Sequence, residues 1–411
     1  MPDSPLDLDD ALAAILADTR AIEATETLAV PSAPGRVLAR AVDAPINLPP
    51  FAASAMDGYA VRTSDLHGQP PHLLKMTAAS FAGRPLESPT PPGGCVRIFT
   101  GACVPDDLDA VVIQENCRVD GDGVWVDVAV EPGDNVRAVG HDVTAGTRIL
   151  EEGRRLTDFD LGWLAASGIG EVTVRVRPTI GLFSTGDELV DAGDPLQPGQ
   201  IFDANRITLA ALFRRLPVHV RDFGIVPDDR GEIRRVLEEA DTTCEVIVTS
   251  GGVSVGEADW VKEVVGEIGT LKMWKLNLKP GKPVAYGRLR KAAFFGLPGN
   301  PVSTIVTAVM LARPAIERLC GARPRPPLAV PATLRGSLRH QPGREEFQRG
   351  TLTARDGELE VSVTGDQSSN RLASFANANC LIRIAKGCGD LEDGSRVTTL
   401  PFWGAICGSQ H

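Results

Sequence analysis

Residues 245–259 read EVIVTSGGVSVGEAD, and this stretch decides the fold. Its apolar start predicts a buried strand, its small residues predict a tight loop, and the residues that follow predict an amphipathic helix. The same succession of strand, loop and helix begins at Arg177, and it predicts a mainly parallel, doubly wound sheet with helices on both faces. The predicted strands are 179–183, 218–225, 245–249 and 292–295, and the predicted helices are 207–215, 230–240, 260–268 and 302–312.

Two helices and a β-rich segment precede this region. Ser4-Pro5-Leu6-Asp7 has the spacing of a capping box with proline at the first helical position, so a helix is expected to start there. Thr157–Asp160 caps a second helix that ends near Gly168, and we expect the two helices to pack together. Residues 45–150 carry short apolar runs separated by Pro and Gly, which predict an inserted β domain.

After the α/β region, the proline-rich residues 323–327 predict a stiff linker. Residues 328–402 alternate as strands do, which predicts a small barrel or sandwich. With 411 residues and about 150 residues per domain, the chain is expected to form a multidomain α/β protein.

The net charge of −11 argues against nucleic acid and membrane surfaces as partners, because both attract a positive field. The eight cysteines show no C-x-x-C pair, so they are expected to be reduced thiols, most of them buried. The amino terminus is acidic and no apolar run reaches 18 residues, which predicts a cytoplasmic protein without a membrane span.

The loop STGDEL, residues 184–189, follows the first strand of the α/β region. Ser184, Thr185 and Gly186 offer donors to an oxyanion, and Asp187 and Glu188 offer carboxylates to a cation. An ordinary helix cap with acidic residues in the first turn explains the same letters equally well.

The loop after the third strand is the glycine-rich SGGVSVGEAD of residues 250–259, in which Asp259 precedes the next helix. Small residues let backbone N–H groups approach phosphate oxygens closely, which favours a phosphate site over a simple tight turn. The residues expected to bind in this way are Ser250, Gly251, Gly252, Ser254 and Gly256.

WKLNLKPGKP, residues 274–283, places Lys275, Lys279 and Lys282 on a strand and a turn. Alternation along a strand would direct the first two lysines to one face. Three ammonium groups in an acidic protein indicate a polyanionic ligand, although a solvated cationic turn is an equally ordinary explanation.

GLPGNPVS, residues 296–303, follows the last predicted strand. Taken alone, Asn300 and Ser303 are more typical of helix capping than of ligand binding. The expected nearness of the phosphate loop makes Pro298, Gly299 and Asn300 candidate binding residues as well.

Acidic side chains flank these loops: Asp203 near the amide of Asn205, Asp228 with Asp229, and Glu257 with Asp259. Carboxylates repel phosphates unless a hard cation lies between them, so the pattern predicts Mg²⁺. In the β-rich segment, Asp57 of SAMDGYA (residues 54–60) and Thr100 of FTGA (residues 99–102) look like ordinary turn residues when taken alone.

Taken together, these motifs resemble the molybdopterin molybdenumtransferase family of MoeA-type proteins. The resemblance includes VVIQEN at 111–116 and FQRG at 347–350, and it keeps the family's motif order over about residues 5–405. It implies a homodimer with four domains: a helical linker domain I (5–44 plus 143–176), a β-rich inserted domain II (45–142), a MogA-like doubly wound catalytic domain III (177–326) and a C-terminal β-barrel domain IV (327–411).

The resemblance also implies a reaction, in which molybdenum from molybdate enters adenylylated molybdopterin and AMP is released with Mg²⁺ as cofactor. The molybdopterin adenylyltransferase and cofactor-accepting enzymes would be its protein partners. Lys275 and Lys279 would bind phosphate or molybdate oxygens, and Glu188, Asp228 and Asp259 would be the metal ligands.

Four further residues acquire roles only through the resemblance. Asp57 and Thr100 match positions that reach the active site from the partner subunit, and Arg349 and Ser369 match groups near the anion site, with Ser368 as a neighbouring alternative. Two departures from the family pattern stand out. His141 replaces a carboxylate before Asp142, so this pair is not expected to bind the metal as in the family. Asn277 replaces a small apolar residue, so a slightly different pocket shape is expected.

Two rival functions fit part of this pattern. The α/β region also resembles the molybdopterin adenylyltransferases, which transfer AMP from ATP, but the insertion and the barrel favour the metal-inserting enzyme. Related domains also serve as dimeric scaffolds, and dimerisation without cofactor synthesis would indicate that role.

Overall fold

The computed structural model describes residues 5–252 and 259–405. Within them, the N-terminal part contains two helices and a series of short strands. Their bounds are α1 Leu8–Asp18, β1 Thr25–Ala29, β2 Val42–Asp43, β3 Ala53–Ser54, β4 Gly58–Val61, β5 His72–Ser80, β6 Gly94–Ile98, β7 Ala110–Ile113, β8 Cys117–Asp120, β9 Gly123–Val126, β10 Val136–Arg137, β11 Arg148–Leu150, α2 Asp158–Ala166 and β12 Glu171–Arg175.

The β-rich insertion is a six-stranded sheet in the order β7-β4-β6-β5-β9-β8. It is joined to a small unit around α2, in which β1 pairs with β12 and β2 pairs with β11. Thr157 and Asp160 form the predicted capping box of α2, and Gly168 follows the helix with a φ of +78°. This part of the sequence prediction is confirmed.

The α/β region follows, with helices on both sides of one mixed sheet. Its elements are β13 Thr179–Thr185, β14 Leu189–Val190, β15 Ile201–Phe202, α3 Ala204–Phe213, β16 His219–Val226, α4 Arg230–Thr243, β17 Val246–Ser250, α5 Trp260–Ile268, β18 Thr270–Lys275, β19 Leu278–Lys279, β20 Pro283–Arg288, β21 Ala293–Leu297, α6 Pro301–Thr307 and α7 Arg313–Leu319.

The sheet order β16-β13-β17-β21-β20-β18 confirms the predicted topology. The first four strands are parallel, and β20 and β18 run antiparallel to their neighbours at one edge. Side chains of α3, α6 and α7 pack in one apolar cluster, whereas those of α4 and α5 pack in another. Because β16 and β17 lie on opposite sides of β13, the strand order reverses there, and the carboxyl ends of β13 and β17 form the kind of switch point at which α/β sheets bind ligands.

The last helix of the α/β region is longer than the prediction of 302–312. A wide helical turn, Ala308–Ala312, joins α6 to α7, and Pro314 lies in the first turn of α7. Proline lacks the N–H that an uninterrupted α-helix needs, so a wide turn before it lets the helix continue. The prediction therefore stopped too early.

The helix α1 corrects two sequence expectations. It begins at Leu8 with Asp7 at its N-cap position, and Asp7 makes no side-chain capping bond; Ser4 lies outside the described residues. Leu8, Ala11 and Ile15 are buried in the same cluster as the α/β sheet, whereas Leu164 of α2 belongs to a separate cluster. The two helices therefore do not pack together, since the apolar face of α1 is buried against the α/β region.

Residues 322–329 form an extended connection to the C-terminal region. That region contains β22 Val330–Arg335, β23 Glu345–Arg355, β24 Glu358–Val363, β25 Cys380–Ile384, β26 Arg396–Pro401 and α8 Phe402–Ala405. β23 pairs with both β24 and β25, and the circle closes through β22 and β26 into a five-stranded barrel. The expected barrel is thus confirmed, and β19 of the α/β region adds to β23 as a short parallel strand.

None of the helices in the described ranges combines the length and apolar character needed to cross a membrane. The seven cysteines found in those ranges are all free thiols, and four of them are buried. Burial raises the pKa of Cys95, Cys320 and Cys380 to about 12, so these thiols stay protonated and unreactive at neutral pH.

The packing of α1 generates a stability prediction. Replacing Ile15 by alanine should lower the free energy of unfolding by about 2–5 kcal/mol, because a fully buried side chain is removed from the α/β core. The milder Ile15→Val should cost about 0.5–1.5 kcal/mol. Urea unfolding followed by far-UV circular dichroism measures both. Equal, negligible effects of the two variants would show that α1 does not share that core.

Candidate functional site

A cleft with a volume of about 830 Å³ opens at the carboxyl edge of the α/β sheet and faces the barrel. Five segments of the α/β region and two segments of the barrel form its walls. The predicted site residues that line it are Thr185, Glu188, Ser250, Gly251, Gly252, Lys279, Lys282, Pro298, Gly299, Asn300 and Ser369. The cleft therefore brings together motifs that are far apart in the sequence.

Other predicted residues lie in the described ranges but do not line the cleft. Ser184 is buried in β13, and the remaining ones are Asp57, Thr100, Gly186, Asp228, Asp259, Lys275 and Arg349. Ser254 and Gly256, with Glu257, lie outside the described residues.

The glycine loop after β17 brings backbone close to the neighbouring strand end. Gly251 has a φ of +92°, and a Cβ there would lie 2.9 Å from the carbonyl oxygen of Thr185. Gly252 has a φ of +65°, and its Cβ would lie 2.6 Å from Val261. Any larger residue would be strained at both positions, so glycine is required where the loop lines the cleft.

The hydroxyl groups at the ends of β13 and β17 are unusual. Ser184 Oγ, Thr185 Oγ1 and Thr249 Oγ1 are buried and have no hydrogen-bond partner among the described residues. Buried hydroxyls normally find a partner, because an unpaired one costs free energy. These three donors mark the floor beneath the two loops as a place that suits an oxyanion.

The lysine segment is divided between two strands, which corrects the expectation that Lys275 and Lys279 share a face. Lys275 is the exposed last residue of β18, whereas Lys279 belongs to β19 and is paired with Glu346 of the barrel. The cationic wall of the cleft therefore consists of Lys279 and Lys282, with Arg344 from the barrel.

Asn277, between those strands, does not line the cleft either. Its amide donates to Asp7 Oδ1 at 2.8 Å and to the carbonyl oxygen of Pro5 at 3.2 Å. Asn277 thus helps to fix the start of α1, and the expected difference in pocket shape stays a prediction.

In the loop after β21, Asn300 does not act as a typical N-cap of a helix. Asn300 precedes α6, but its side chain makes no capping bond. Gly299 contributes its carbonyl oxygen, which accepts from Asn205 Nδ2 at 2.7 Å. The Asn300 side chain lies among the cleft-lining residues, where it can donate to a ligand.

The barrel contributes the loop of residues 366–370. Ser369 lines the cleft, and its carbonyl oxygen accepts from the backbone of Val302 at 3.0 Å. Arg349 is fully buried behind this loop, and it donates to the carbonyl oxygens of Asp366 and Ser368. Burial lowers the pKa of Arg349 to about 10. Arg349 therefore supports the loop instead of lining the cleft, although the resemblance predicts it near the anion.

Three carboxylates gather at the rim beside the ends of β13 and β16. The backbone N–H of Asp228 donates to Asp187 Oδ1 at 3.0 Å. Desolvation, together with the negative charges of Asp187 and Glu188, raises the pKa of Asp228. These groups therefore repel one another, and a cation between them would relieve that repulsion.

The other predicted acids have structural partners. Asp259 Oδ1 accepts from the backbone N–H of Lys262 at 3.2 Å and so caps α5. Asp203 caps α3 and forms an ion pair with Arg206. His141 and Asp142 are exposed on a loop away from the cleft. In the described ranges no three histidine, cysteine or acidic side chains form a ready-made metal site.

This arrangement still fits Mg²⁺. Magnesium keeps several waters and typically takes one or two protein carboxylates together with substrate phosphates. Glu188 at the cleft and Asp228 beside it supply oxygen ligands of that kind. The rim is therefore suited to a magnesium ion that arrives with a phosphorylated ligand.

Asp57 and Thr100 lie together on the inserted domain. Asp57 Oδ1 accepts from both the backbone N–H and the hydroxyl of Thr100 at 2.8 Å, which lowers the pKa of Asp57. Next to them, a Cβ at Gly58 would lie 1.9 Å from the carbonyl oxygen of Val112, so only glycine fits. The pair is rigid and exposed, but it is not part of its own chain's cleft.

Sequence reasoning missed several lining residues. Arg344, Gln367 and Asn370 come from the barrel, and Ile201 and Phe202 come from β15. Arg344 lies in a Pro-Gly turn just before FQRG, which was the one local signal available. The others are recognisable only after the barrel is placed against the α/β sheet.

Comparison with known proteins agrees with this architecture. Three family models match in order: "MoeA N-terminal region (domain I and II)" at residues 6–168, "Probable molybdopterin binding domain" at 181–318 and "MoeA C-terminal region (domain IV)" at 331–402. The chain belongs to the MoeA family. The predicted resemblance and the predicted enzyme class, molybdopterin molybdenumtransferase, are thereby confirmed.

Individual relatives cover nearly the whole chain. The molybdopterin molybdenumtransferase of Haemophilus influenzae is 41% identical over 97% of this chain and 98% of its own length. The molybdopterin molybdenumtransferase of Nostoc is 34% identical over 92% of this chain and 88% of its own length. The crystal structure of the molybdopterin biosynthesis MoeA protein from Pyrococcus horikoshii superposes with a TM-score of 0.83 at 28% identity, covering 97% of this chain and 100% of that one.

The raised pKa of Asp228 predicts a stability change with pH. A raised pKa means that folding favours the protonated acid, so this contribution is present at low pH and is lost as the pH rises through the folded-state pKa. Asp228→Asn should therefore raise the thermal midpoint at pH 7. The gain in free energy of unfolding should be less than about 1 kcal/mol, because the site is near water. The gain should shrink on acidification.

Differential scanning calorimetry without magnesium measures this effect, and Asp194→Asn is the matched control on an exposed loop. A destabilised Asp228→Asn protein at pH 7 would contradict the proposed repulsion.

Proposed function

We propose that the protein inserts molybdenum from molybdate into adenylylated molybdopterin and releases AMP. The observation that carries the proposal is the cleft itself. Gly251, Gly252, Lys279 and Lys282 line it at the carboxyl edge of the sheet, together with Thr185. The buried hydroxyls of Thr185 and of the neighbouring Ser184 and Thr249 have no hydrogen-bond partner among the described residues. Such a site favours a ligand with several phosphoryl or oxyanion groups. Membership in the MoeA family supports the same reaction.

Different groups of the cleft bind different parts of the ligand. Lys279 and Lys282 bind phosphate or molybdate oxygens through charge-assisted hydrogen bonds. Backbone N–H groups near Gly251 and Gly252, with the side chains of Asn300 and Ser369, orient the rest of the phosphorylated ligand. Holding the anion and the pterin nucleotide in one cleft converts an encounter of two small molecules into a reaction within one complex.

Glu188 and Asp228 are the residues that would hold Mg²⁺ beside the ligand phosphates, with Asp259 as a third candidate at the start of α5. A bound magnesium ion supplies positive charge next to the phosphoryl oxygens as AMP departs. Asp187, which the STGDEL loop also offers to a cation, contributes to the negative potential that attracts the ion.

We further propose a cytoplasmic homodimer in which Asp57 and Thr100 complete the partner subunit's cleft. Phe159 on α2 and Ile207 on α3 are 77% and 55% exposed, and Trp163 lies near Phe159 on the same helix. Large apolar side chains at the surface favour burial against a second protein surface. The proposed division into domains I to IV follows the boundaries given above.

The test is an assay with adenylylated molybdopterin, magnesium and molybdate. We expect AMP release that depends on molybdate, together with activation of a cofactor-free molybdoenzyme. AMP transfer from ATP without molybdate would favour the adenylyltransferase function. A folded dimer that fails in both assays with a competent substrate would favour the scaffold function.

Asp259→Asn sharpens this test, because asparagine keeps an N-cap oxygen for α5 and removes only the charge. We expect a loss of AMP release of about 100-fold or more if the carboxylate holds the metal at the transition state. Asp194→Asn, on an exposed loop, is the control for removal of one carboxylate. Equal activities of the two variants would remove Asp259 from the metal site.

Subunit mixing tests the shared site. Asp57→Asn and Asp259→Asn should each be inactive as homodimers, but a mixed dimer contains one cleft with neither change. Random mixing should therefore restore up to about a quarter of the wild-type activity. Subunit exchange is verified by native mass spectrometry. Exchange without recovered activity would place Asp57 outside the partner's cleft.

A further inference from the structure

Lys279 forms an ion pair with Glu346, a residue to which the proposed function assigns no role. Its Nζ lies 3.0 Å from Glu346 Oε1, and the two residues are also aligned in the parallel β19–β23 pair. The Lys279 side chain is 44% exposed, whereas that of Glu346 is only 3% exposed. Lys279 lines the cleft and also a second opening beside His340 and Asp390, whereas its counter-ion belongs to the interior of the barrel.

Glu346 is itself fixed by two other side chains. Its Oε2 lies 2.8 Å from Nδ1 of the buried His340, and Gln348 Nε2 donates to its Oε1 at 3.1 Å. The backbone N–H of His340 donates to Asp390 Oδ1 at 2.8 Å. Arg349 adds positive potential nearby, since Glu346 is one of the charges that act on it. The carboxylate thus has little freedom to move.

This network limits where the lysine ammonium can go. A buried carboxylate that loses its partner pays a large desolvation cost, so the Lys279 contact is hard to break from the Glu346 side. A lysine side chain is otherwise flexible, with several rotatable bonds. One of the three ammonium donors serves Glu346, which leaves two for an anion in the cleft.

We propose that Glu346, supported by His340 and Gln348, is a positioning residue for Lys279. The barrel then does more than close the cleft, because it fixes the direction in which a cation of the α/β region meets the anion. This inference rests on the proposed function, in which Lys279 binds phosphate or molybdate oxygens. Orientation by an acceptor at position 346, and not the negative charge alone, is what the reaction requires.

The first measurement detects the contact without using the reaction. Limited labelling with an amine-reactive reagent, quantified by mass spectrometry, compares Lys279 with Lys282, which lines the same cleft. Glu346→Ala should increase the labelling of Lys279 relative to Lys282 several-fold. Glu345→Gln is the matched control, because Glu345 precedes Glu346 on β23 and pairs with Arg383. That variant should leave the ratio unchanged.

The second measurement separates orientation from charge. Glu346→Ala should lower kcat of molybdate-dependent AMP release by about 10- to 100-fold, because the ammonium is no longer held in place. Glu346→Gln keeps an acceptor for Nζ, so it should recover most of that loss. Glu345→Gln should retain the wild-type kcat and KM.

Two results would overturn the inference: an unchanged labelling ratio in Glu346→Ala, or a glutamine variant as slow as the alanine variant. If Glu346→Ala does not fold, Glu346→Asp replaces it in both measurements, since it withdraws the carboxylate by one methylene and keeps the charge. A wild-type ratio and a wild-type kcat in the aspartate variant would then overturn the inference. Absence of AMP release from the wild-type protein would contradict the proposed function, while the labelling result would still decide the contact.

Discussion

The arrangement of the site depends on one backbone interaction, the parallel pairing of Leu278–Lys279 with Glu345–Glu346. It joins the α/β region to the barrel at the wall of the cleft. Apolar packing strengthens this connection, because Phe347, Leu381 and Leu400 of the barrel are buried in the same cluster as the α/β core. The width of the cleft is consequently set by the hydrogen-bonded spacing of paired strands and by dense packing, which resist deformation.

The charge distribution explains how an acidic protein can bind a polyanion. The chain has a net charge of −11, yet Lys279, Lys282 and Arg344 concentrate positive charge on one side of the cleft. Carboxylates of Asp187, Glu188 and Asp228 concentrate negative charge at the rim. A phosphorylated ligand with a bound magnesium ion satisfies both sides, whereas either ion alone is repelled by one of them.

The sequence predicted well what local periodicity controls. Strand-end loops of a parallel sheet meet at one edge, so the gathering of Thr185, Ser250 and Asn300 followed from strand assignment alone. The separation of Lys275 from Lys279 could not be predicted, because β19 becomes a distinct strand only through its pairing with the barrel. The docking of α1 was missed for a similar reason, since an amphipathic pattern shows that a face is buried but not against what.

Arg349, predicted near the anion, has a supporting role in the structure. The guanidinium is buried at 0% exposure, and its Nε donates to Ser374 Oγ at 2.8 Å while its backbone N–H donates to Gln367 Oε1 at 2.7 Å. These bonds fix the loop that carries Ser369 into the cleft. The barrel therefore contributes to the site in two ways. Glu346 holds Lys279 of the α/β region, and Arg349 holds the polar loop of the barrel itself. Both interactions require the buried interior of the barrel, which explains why a complete domain, and not a single loop, closes this cleft.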